Sequence, residues 1–330
     1  MVVMVVGGNG QLGSWCAEEL LAHGTDVRVT VRDRARAGRL EGRGAEVVLL
    51  DVTNAAQRRA ALQDVDVVVL SANAVAARSG DDPDAFDRGL SALVDEAMAA
   101  GVDRIVLPSV PVGEQDQQVP TMRAKRGLEA QLSRGPAAGW ILRLPPFMEA
   151  WFALVGSSLP LRGEPNATLG RPSPFLRRFR ALTGTLVEDH GVMLVGGSPS
   201  NRHAFLSVRD AARACAAASV AEGPAPTEPL EVGGPQVLSW REVADLYAEV
   251  LARPVRVLTT PAPVYAAAAR LLAPIAPVPS RTMALSFFMA GVESPYSAPG
   301  GGLLDPATML TAEAFLRGKA ALGPELARVP

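Results

Sequence analysis

Lysine is almost missing from this chain of 330 residues, occurring only at 125 and 319, while arginine supplies the other basic side chains. Arginine does not titrate in the useful range, so acid–base work by a cationic side chain is confined to very few positions. There are two cysteines, Cys16 and Cys215. They exclude a disulfide framework and a cysteine metal site, and suit small core residues of a reducing compartment. The three histidines, at 23, 190 and 203, lack zinc-type spacing, so no metal is expected. All three tyrosines, Tyr247, Tyr265 and Tyr296, fall in the C-terminal half. A net charge of −2 gives no global case for nucleic acid or an anionic membrane. The most apolar stretch, 261–279, is broken by prolines and Arg270, whereas a membrane span needs roughly 20 apolar residues. It reads as a core helix bounded by prolines. No basic leader precedes the first apolar run, which places the expected protein in the cytoplasm.

What is present is alternation. Apolar runs at 2–6, 27–31, 46–50, 66–70, 104–107 and 140–144 predict strands, and the segments near 11–22, 33–41, 54–62, 84–99 and 121–133 predict helices. Strand–helix alternation implies an α/β fold with a doubly wound, Rossmann-type parallel sheet. Residues 1–150 are expected to form this domain, with 191–220 returning to it. The remainder, 151–190 and 221–330, forms a smaller capping portion over a substrate site. Residues 156–187 are rich in Gly, Pro, Ser and Arg and read as a loop-rich insertion. Within it the basic run at 175–180 reads as a solvated face rather than a rim for an acidic substrate. Capping-box spacing at Ser207/Asp210 and Ser239/Glu242 marks two helix starts.

The run Val2–Val6 leads straight into Gly7-Gly8-Asn9-Gly10-Gln11-Leu12-Gly13. Gly8, Gly10 and Gly13 satisfy G-x-G-x-x-G, while Gly7, Gly10 and Gly13 satisfy G-x-x-G-x-x-G. Either pattern supplies a sharp turn after a strand, close backbone approach to a pyrophosphate, and tight helix packing. The helix opening at Gln11 and Leu12 turns its positive end toward the phosphates. At the end of the second strand stands Arg32, where an NAD site usually carries a carboxylate. A guanidinium matches a 2′-phosphate bidentately, so NADP(H) is the expected cofactor. Arg34 and Arg36 read as solvated charge. Asp51 and Val52 end the third strand near the expected adenine, although Asp51 fits a helix cap equally well. Ser71, Ala72 and Asn73 end the fourth, where small side chains permit close cofactor approach.

The segments "VVGGNGQLG", "VRVTVRD", "VLPSV", "WILRLPPFMEAW" and "LEVGGPQVLSW" resemble the NmrA-like and isoflavone-reductase-like branch of the atypical short-chain dehydrogenases/reductases. The resemblance covers most of the chain and implies a Rossmann domain that binds NADP(H). Typical short-chain dehydrogenases carry Tyr-x-x-x-Lys; here the matching stretch "TMRAK" has Thr121 for the tyrosine and keeps Lys125. The ordinary tyrosine mechanism is thereby excluded at its usual position. Lys125 shares a helical stripe with Met122, Leu128 and Leu132, where an ammonium is partly desolvated. Three roles stay open for it: contact with the nicotinamide ribose, proton exchange with substrate, or snorkelling to water. Ser109 matches the family's catalytic serine, and is set either to bond substrate or to satisfy its own loop. Pro145 and Phe147 resemble the loop that packs on the nicotinamide. Phe147 and Met148 are candidates for an apolar substrate pocket, and His203 for a second proton carrier.

The expected activity is NADPH-dependent reduction of a small, mostly apolar, electron-poor substrate such as an enone, quinone, imine or carbonyl. The alternative is a non-catalytic NADP(H)-binding sensor, regulator or assembly factor. Small-molecule substrate, no nucleic acid and no membrane are the expected partners, and a homodimer is compatible with the sequence.

Overall fold

Every residue of Val2–Val6 is apolar, and such a strand is stable only with both faces covered. The computed structural model describes residues 1–73, 81–164, 166, 167, 169 and 174–323, the side chains of 36 and 174–176 excepted. Its first half runs β1 (Val2–Val6), α1 (Gln11–Ala22), β2 (Asp26–Val31), α2 (Gly38–Glu41), β3 (Glu46–Leu49), α3 (Ala55–Ala61), β4 (Val67–Val69), α4 (Pro83–Ala99), β5 (Arg104–Ser109), α5 (Pro120–Leu132) and β6 (Ala138–Arg143). The second half continues with α6 (Met148–Leu154), α7 (Pro174–Thr183), α8 (Leu186–His190), β7 (Val192–Gly196), β8 (Arg202–His203) and α9 (Val208–Val220). Then follow β9 (Leu230–Glu231), β10 (Leu238–Ser239), α10 (Trp240–Leu251), β11 (Arg256–Thr260), α11 (Ala262–Leu272), α12 (Pro277–Gly291) and α13 (Ala312–Ala320).

Among the described residues, seven strands pair in the order β3-β2-β1-β4-β5-β6-β9. Every neighbouring pair is parallel. The order reverses between β1 and β4, the place where such sheets bind ligands. Strand alternation sends Val3 and Val5 to one face, where they meet Cys16, Val208 and Cys215 of α1 and α9. Met4 and Val6 face the other side and join Leu93, Val94 and Leu128 of α4 and α5. Each such side chain, fully withdrawn from water, contributes roughly 1.5–3 kcal/mol. Both cysteines are buried free thiols, in keeping with their reading as core residues. The first half thus matches the expected α/β order nearly element for element.

The second half corrects three expectations. The stretch 156–187 is not simply loop, because it holds α7 and the start of α8. Proline and glycine on either side hide the ten residues of α7, whose Pro174 stands at the first turn, where proline costs no hydrogen bond. Residues 192–196 do not return to the main sheet; β7 pairs with β11 in a separate two-stranded sheet, and only α9 comes back. Finally, α11 is no core helix. None of its residues is buried, and Leu271 is 75% exposed. It folds back on α12 as a hairpin, since the prolines at 274 and 277 end one helix and open the next. The caps agree with expectation: Ser207 accepts from the Asp210 amide, and Ser239 with Glu242 forms a complete capping box. Among the described residues, no helix is long and apolar enough to cross a membrane.

Candidate active site

One cleft of about 320 Å³ runs along the carboxyl ends of β1, β2, β4, β5 and β6 and is roofed by α6 and α12. Its glycine turn is built by three different steric demands. Gly7 has φ +83°, and a Cβ there would strike Ala72. A Cβ on Gly8 would lie 2.6 Å from Val29 Cβ, so this glycine serves the packing of β2. At Gly13 a Cβ would fall 2.4 Å from the Gly7 carbonyl oxygen, so this glycine lets α1 lie against the turn. The Gly10 amide closes the bend on the Gly7 carbonyl at 2.8 Å. No side chain caps α1, which leaves the first-turn amides of Leu12 and Gly13 for a ligand. Gly7, Gly10, Gln11 and Leu12 line the cleft; Gly8 and Gly13 support it from behind. This cradle, with no room for a Cβ at Gly8 or Gly13 and a left-handed backbone at Gly7, fits a dinucleotide pyrophosphate.

Arg32 lines the same cleft and pairs with Asp81 at 2.7 Å, both side chains about 29% exposed. Arg34 pairs instead with Glu41 in solvent, as expected of it, and the Arg36 side chain is outside the described residues. Asp51 is exposed and spends its carboxylate on the turn, accepting from the Thr53 amide (2.9 Å) and hydroxyl (2.7 Å). It does not line the cleft, and the cap of α3 is Asn54. Val52, Ser71, Ala72 and Asn73 do line it. The Ser71 hydroxyl donates to the Val6 carbonyl at 2.7 Å, which holds the end of β4 against the glycine turn.

Farther along, Ser109, Thr121, Lys125, Pro145 and Phe147 come together on the same cleft. Lys125 donates from Nζ to the Pro108 carbonyl at 2.8 Å. Burial pulls its pKa down to about 8, against the opposing charges of Asp87 and Glu129. Ser109 donates its hydroxyl proton to Glu129, which is also gripped by Arg126 and, at 2.9 Å, by Arg143. Burial works against the Glu129 charge, but the bonds from Arg143 and Ser109 and the charge of Arg126 outweigh it and lower its pKa. The serine hydrogen is therefore committed to an anion, and its lone pairs remain for the cleft. Among the described residues, the buried hydroxyl of Thr121, at the position of the absent tyrosine, has no hydrogen-bond partner.

Two sequence-based assignments fail here. Met148 is fully buried in the core formed with Phe152 and Phe205, and does not line the cleft. His203 is fully buried between the Phe205 and Trp240 rings, with Nδ1 2.9 Å from Ser294 Oγ. Burial lowers its pKa to about 4, so it is neutral near pH 7, and it does not line the cleft. A histidine beginning a strand gave no sign of which face it would take. Missed altogether were Glu129, whose signal was its position one turn after Lys125, and Trp151, Leu285 and Phe288, which form the roof. The roof residues lie on helices whose apolar pattern reads equally well as core.

Residues 7–137 match a protein-family profile described as NAD(P)H-binding. Among curated relatives, a photosystem II assembly factor of Trieres chinensis is 28% identical over 153 residues, 45% of this chain and 47% of that one. Sterol demethylase protein B of Methylococcus capsulatus is 34% identical over 109 residues, 32% of this chain and 33% of that one. The matches thus span about half the length of these relatives or less. Among solved structures, the triphenylmethane reductase of Citrobacter sp. superposes with a TM-score of 0.71 at 16% identity, covering 97% of this chain and 100% of the other. An NADPH-dependent quinone oxidoreductase of Escherichia coli, solved with NADPH, gives 0.66 at 19% identity over 96% and 99%. Residues 7–137 carry an NAD(P)H-binding domain, and the chain has the fold of the triphenylmethane reductase and the quinone oxidoreductase.

Proposed function

We propose that this protein is an NADPH-dependent reductase that delivers hydride to an electron-poor, mostly apolar acceptor such as a quinone, enone, imine or carbonyl, without a catalytic tyrosine. The observation that carries the reading is the meeting of Lys125 and Ser109 on a cleft that continues from the glycine cradle into apolar walls. Reduced nicotinamide supplies the hydride. Lys125, with a pKa of about 8, is mostly protonated at pH 7 and has hydrogens to spare beyond the one given to Pro108. It is the group suited to hand a proton to the oxygen or nitrogen that gains charge. Ser109, fixed by Glu129, offers an acceptor for a substrate N–H or O–H. Phe147, Trp151 and Phe288 exclude water and orient the acceptor, which supplies most of the acceleration for a substrate that needs little acid assistance.

The test is NADPH oxidation against a panel of quinones, enones and imines, repeated with Lys125→Ala. Turnover is expected, and its loss in the variant with NADPH affinity retained assigns proton transfer to Lys125; lost affinity assigns it to the ribose. A second reading, an NADP(H)-binding assembly or regulatory factor without turnover, draws support from the similarity to photosystem II assembly factors and from Thr121 standing in place of tyrosine. NADPH binding with no turnover across the panel would establish that reading instead.

A further inference from the structure

Behind Trp151 lies a second cavity of about 110 Å³. It shares Trp151, Leu154, Thr282, Ser286 and Met289 with the main cleft, so these side chains form a common wall between two chambers. This inner chamber is walled on its far side by the half-buried Phe179 of α7, Leu194 of β7 and Tyr265 of α11 and stays partly open to solvent. None of its described lining residues carries a charge, and the two hydroxyls of the wall are already engaged. Thr282 donates to the Val278 carbonyl at 3.1 Å, and Ser286 to the Thr282 carbonyl at 3.1 Å. They give no hydrogen to a guest, and the polar side-chain groups left in the lining include the Tyr265 hydroxyl and the Trp240 indole N–H, neither of which is charged. Gly196 seats the Tyr265 ring, since a Cβ there would lie 3.0 Å from it. A cavity of this kind rejects an ionised group, whose desolvation nothing would offset, and accepts hydrocarbon.

We infer that the acceptor reduced here is a two-part molecule: a flat electron-poor head that lies beside Lys125, and an uncharged hydrocarbon tail or second ring that passes Trp151 into the inner chamber. The inference rests on the reductase reading and extends it to substrate class. The walls place the tail's recognition on residues from α7, β7, α11 and α12, all outside the NAD(P)H-binding segment.

The experiment compares 1,4-benzoquinone with a quinone bearing a ten-carbon alkyl tail, in the wild-type chain and in Met283→Trp, a substitution that fills the inner chamber. Wild type is expected to favour the tailed quinone in kcat/KM by about tenfold or more, the scale of discrimination by an apolar pocket. Met283→Trp should abolish that preference while leaving benzoquinone turnover and NADPH affinity within about twofold. Should the variant fail to bind NADPH, Leu194→Phe fills the chamber from the opposite wall and carries the same expectation. Quenching of tryptophan fluorescence by the tailed quinone, read in the NADPH complex, reports occupancy without turnover because Trp151 and Trp240 line the chamber. Tail-dependent quenching that Leu194→Phe loses, a filling variant that adds no tryptophan, upholds the chamber even if no quinone is reduced, an outcome that would sink the reductase reading alone. Equal handling of both quinones by wild type, in turnover and quenching, overturns the inference.

Discussion

At the scale of single residues, two side chains carry predictions. Arg32, which lines the cleft, is held by Asp81, so a 2′-phosphate arriving there would compete with a carboxylate. Replacing Arg32 by Ala removes charge-assisted hydrogen bonds worth about 1.5–3 kcal/mol, and NADPH affinity is expected to fall by about ten- to hundredfold while NADH affinity holds. Calorimetric titration with both nucleotides checks this; an unchanged NADPH preference would remove Arg32 from cofactor selection. Lys125 makes stability itself depend on pH. Its folded pKa is about 8, against 10.5 for the free side chain, and the charged groups facing it are Asp87, Glu129 and Arg126, with Cys215 beyond. Between these values the unfolded chain retains a proton that the folded chain has released, so this group's contribution to stability rises with pH across about 8 to 10.5. The penalty of burying the ammonium is fully present below pH 8. Cys215 and Cys16, whose pKa values burial raises, act in the opposite direction at high pH. They are common to wild type and Lys125→Met, so the difference in urea stability between the two proteins isolates the lysine. That difference should move in favour of wild type as pH goes from 7.5 to 10, and a flat difference would mean that Lys125 is solvated.

At the scale of elements, one buried arginine ties the α12 part of the roof to α4. Arg281, nearly buried on α12, bonds Asp87 at 2.7 Å and also Asp84, both on α4. Arg281→Met keeps the aliphatic stem and leaves Asp87, whose pKa burial already raises, without its cation. We expect a loss of about 2 kcal/mol in chemical denaturation, tempered by the exposure of Asp84. On the reading proposed above, in which the roof faces the acceptor and the glycine cradle holds the nucleotide, substrate KM should rise severalfold with NADPH affinity nearly constant. A parallel loss of NADPH binding would show that the roof also organises the cradle. The same element shows where sequence reading stops. Strands β1 to β6 were legible because each apolar run has a fixed length and a glycine or polar stop, and the glycine turn was legible because its spacing has few other physical causes. The roof was not. In α12 apolar residues occur all round, so period alone does not tell a helix over a cavity from a helix in a core. His203 and Met148 failed for a related reason: sequence proximity to a cleft-lining loop does not fix the face on which a side chain emerges.

At the scale of the whole molecule, the sequence boundary near residue 150 is not a boundary of packing. The far edge of the parallel sheet is β9, contributed by Leu230 and Glu231, and one face of β4 and β5 is covered by α9. A fragment ending at 150 would leave Val67, Val69 and Val106 without α9 against them, although α1 would still shield the β1 part of that face. Burial on one side only leaves a parallel sheet short of the apolar contact that offsets its conformational entropy. The cradle and the chemistry beside it therefore depend on chain that comes much later in the sequence. Residues 1–150 produced alone are expected to lack a cooperative thermal transition and to bind neither NADPH nor NADH. The full chain should unfold in one step, reported alike by circular dichroism and by its tryptophans, of which Trp15 and Trp140 lie before that boundary and Trp151 and Trp240 after it. A 1–150 fragment that melts sharply and takes up NADPH would show instead that α9 and β9 decorate a domain already complete without them.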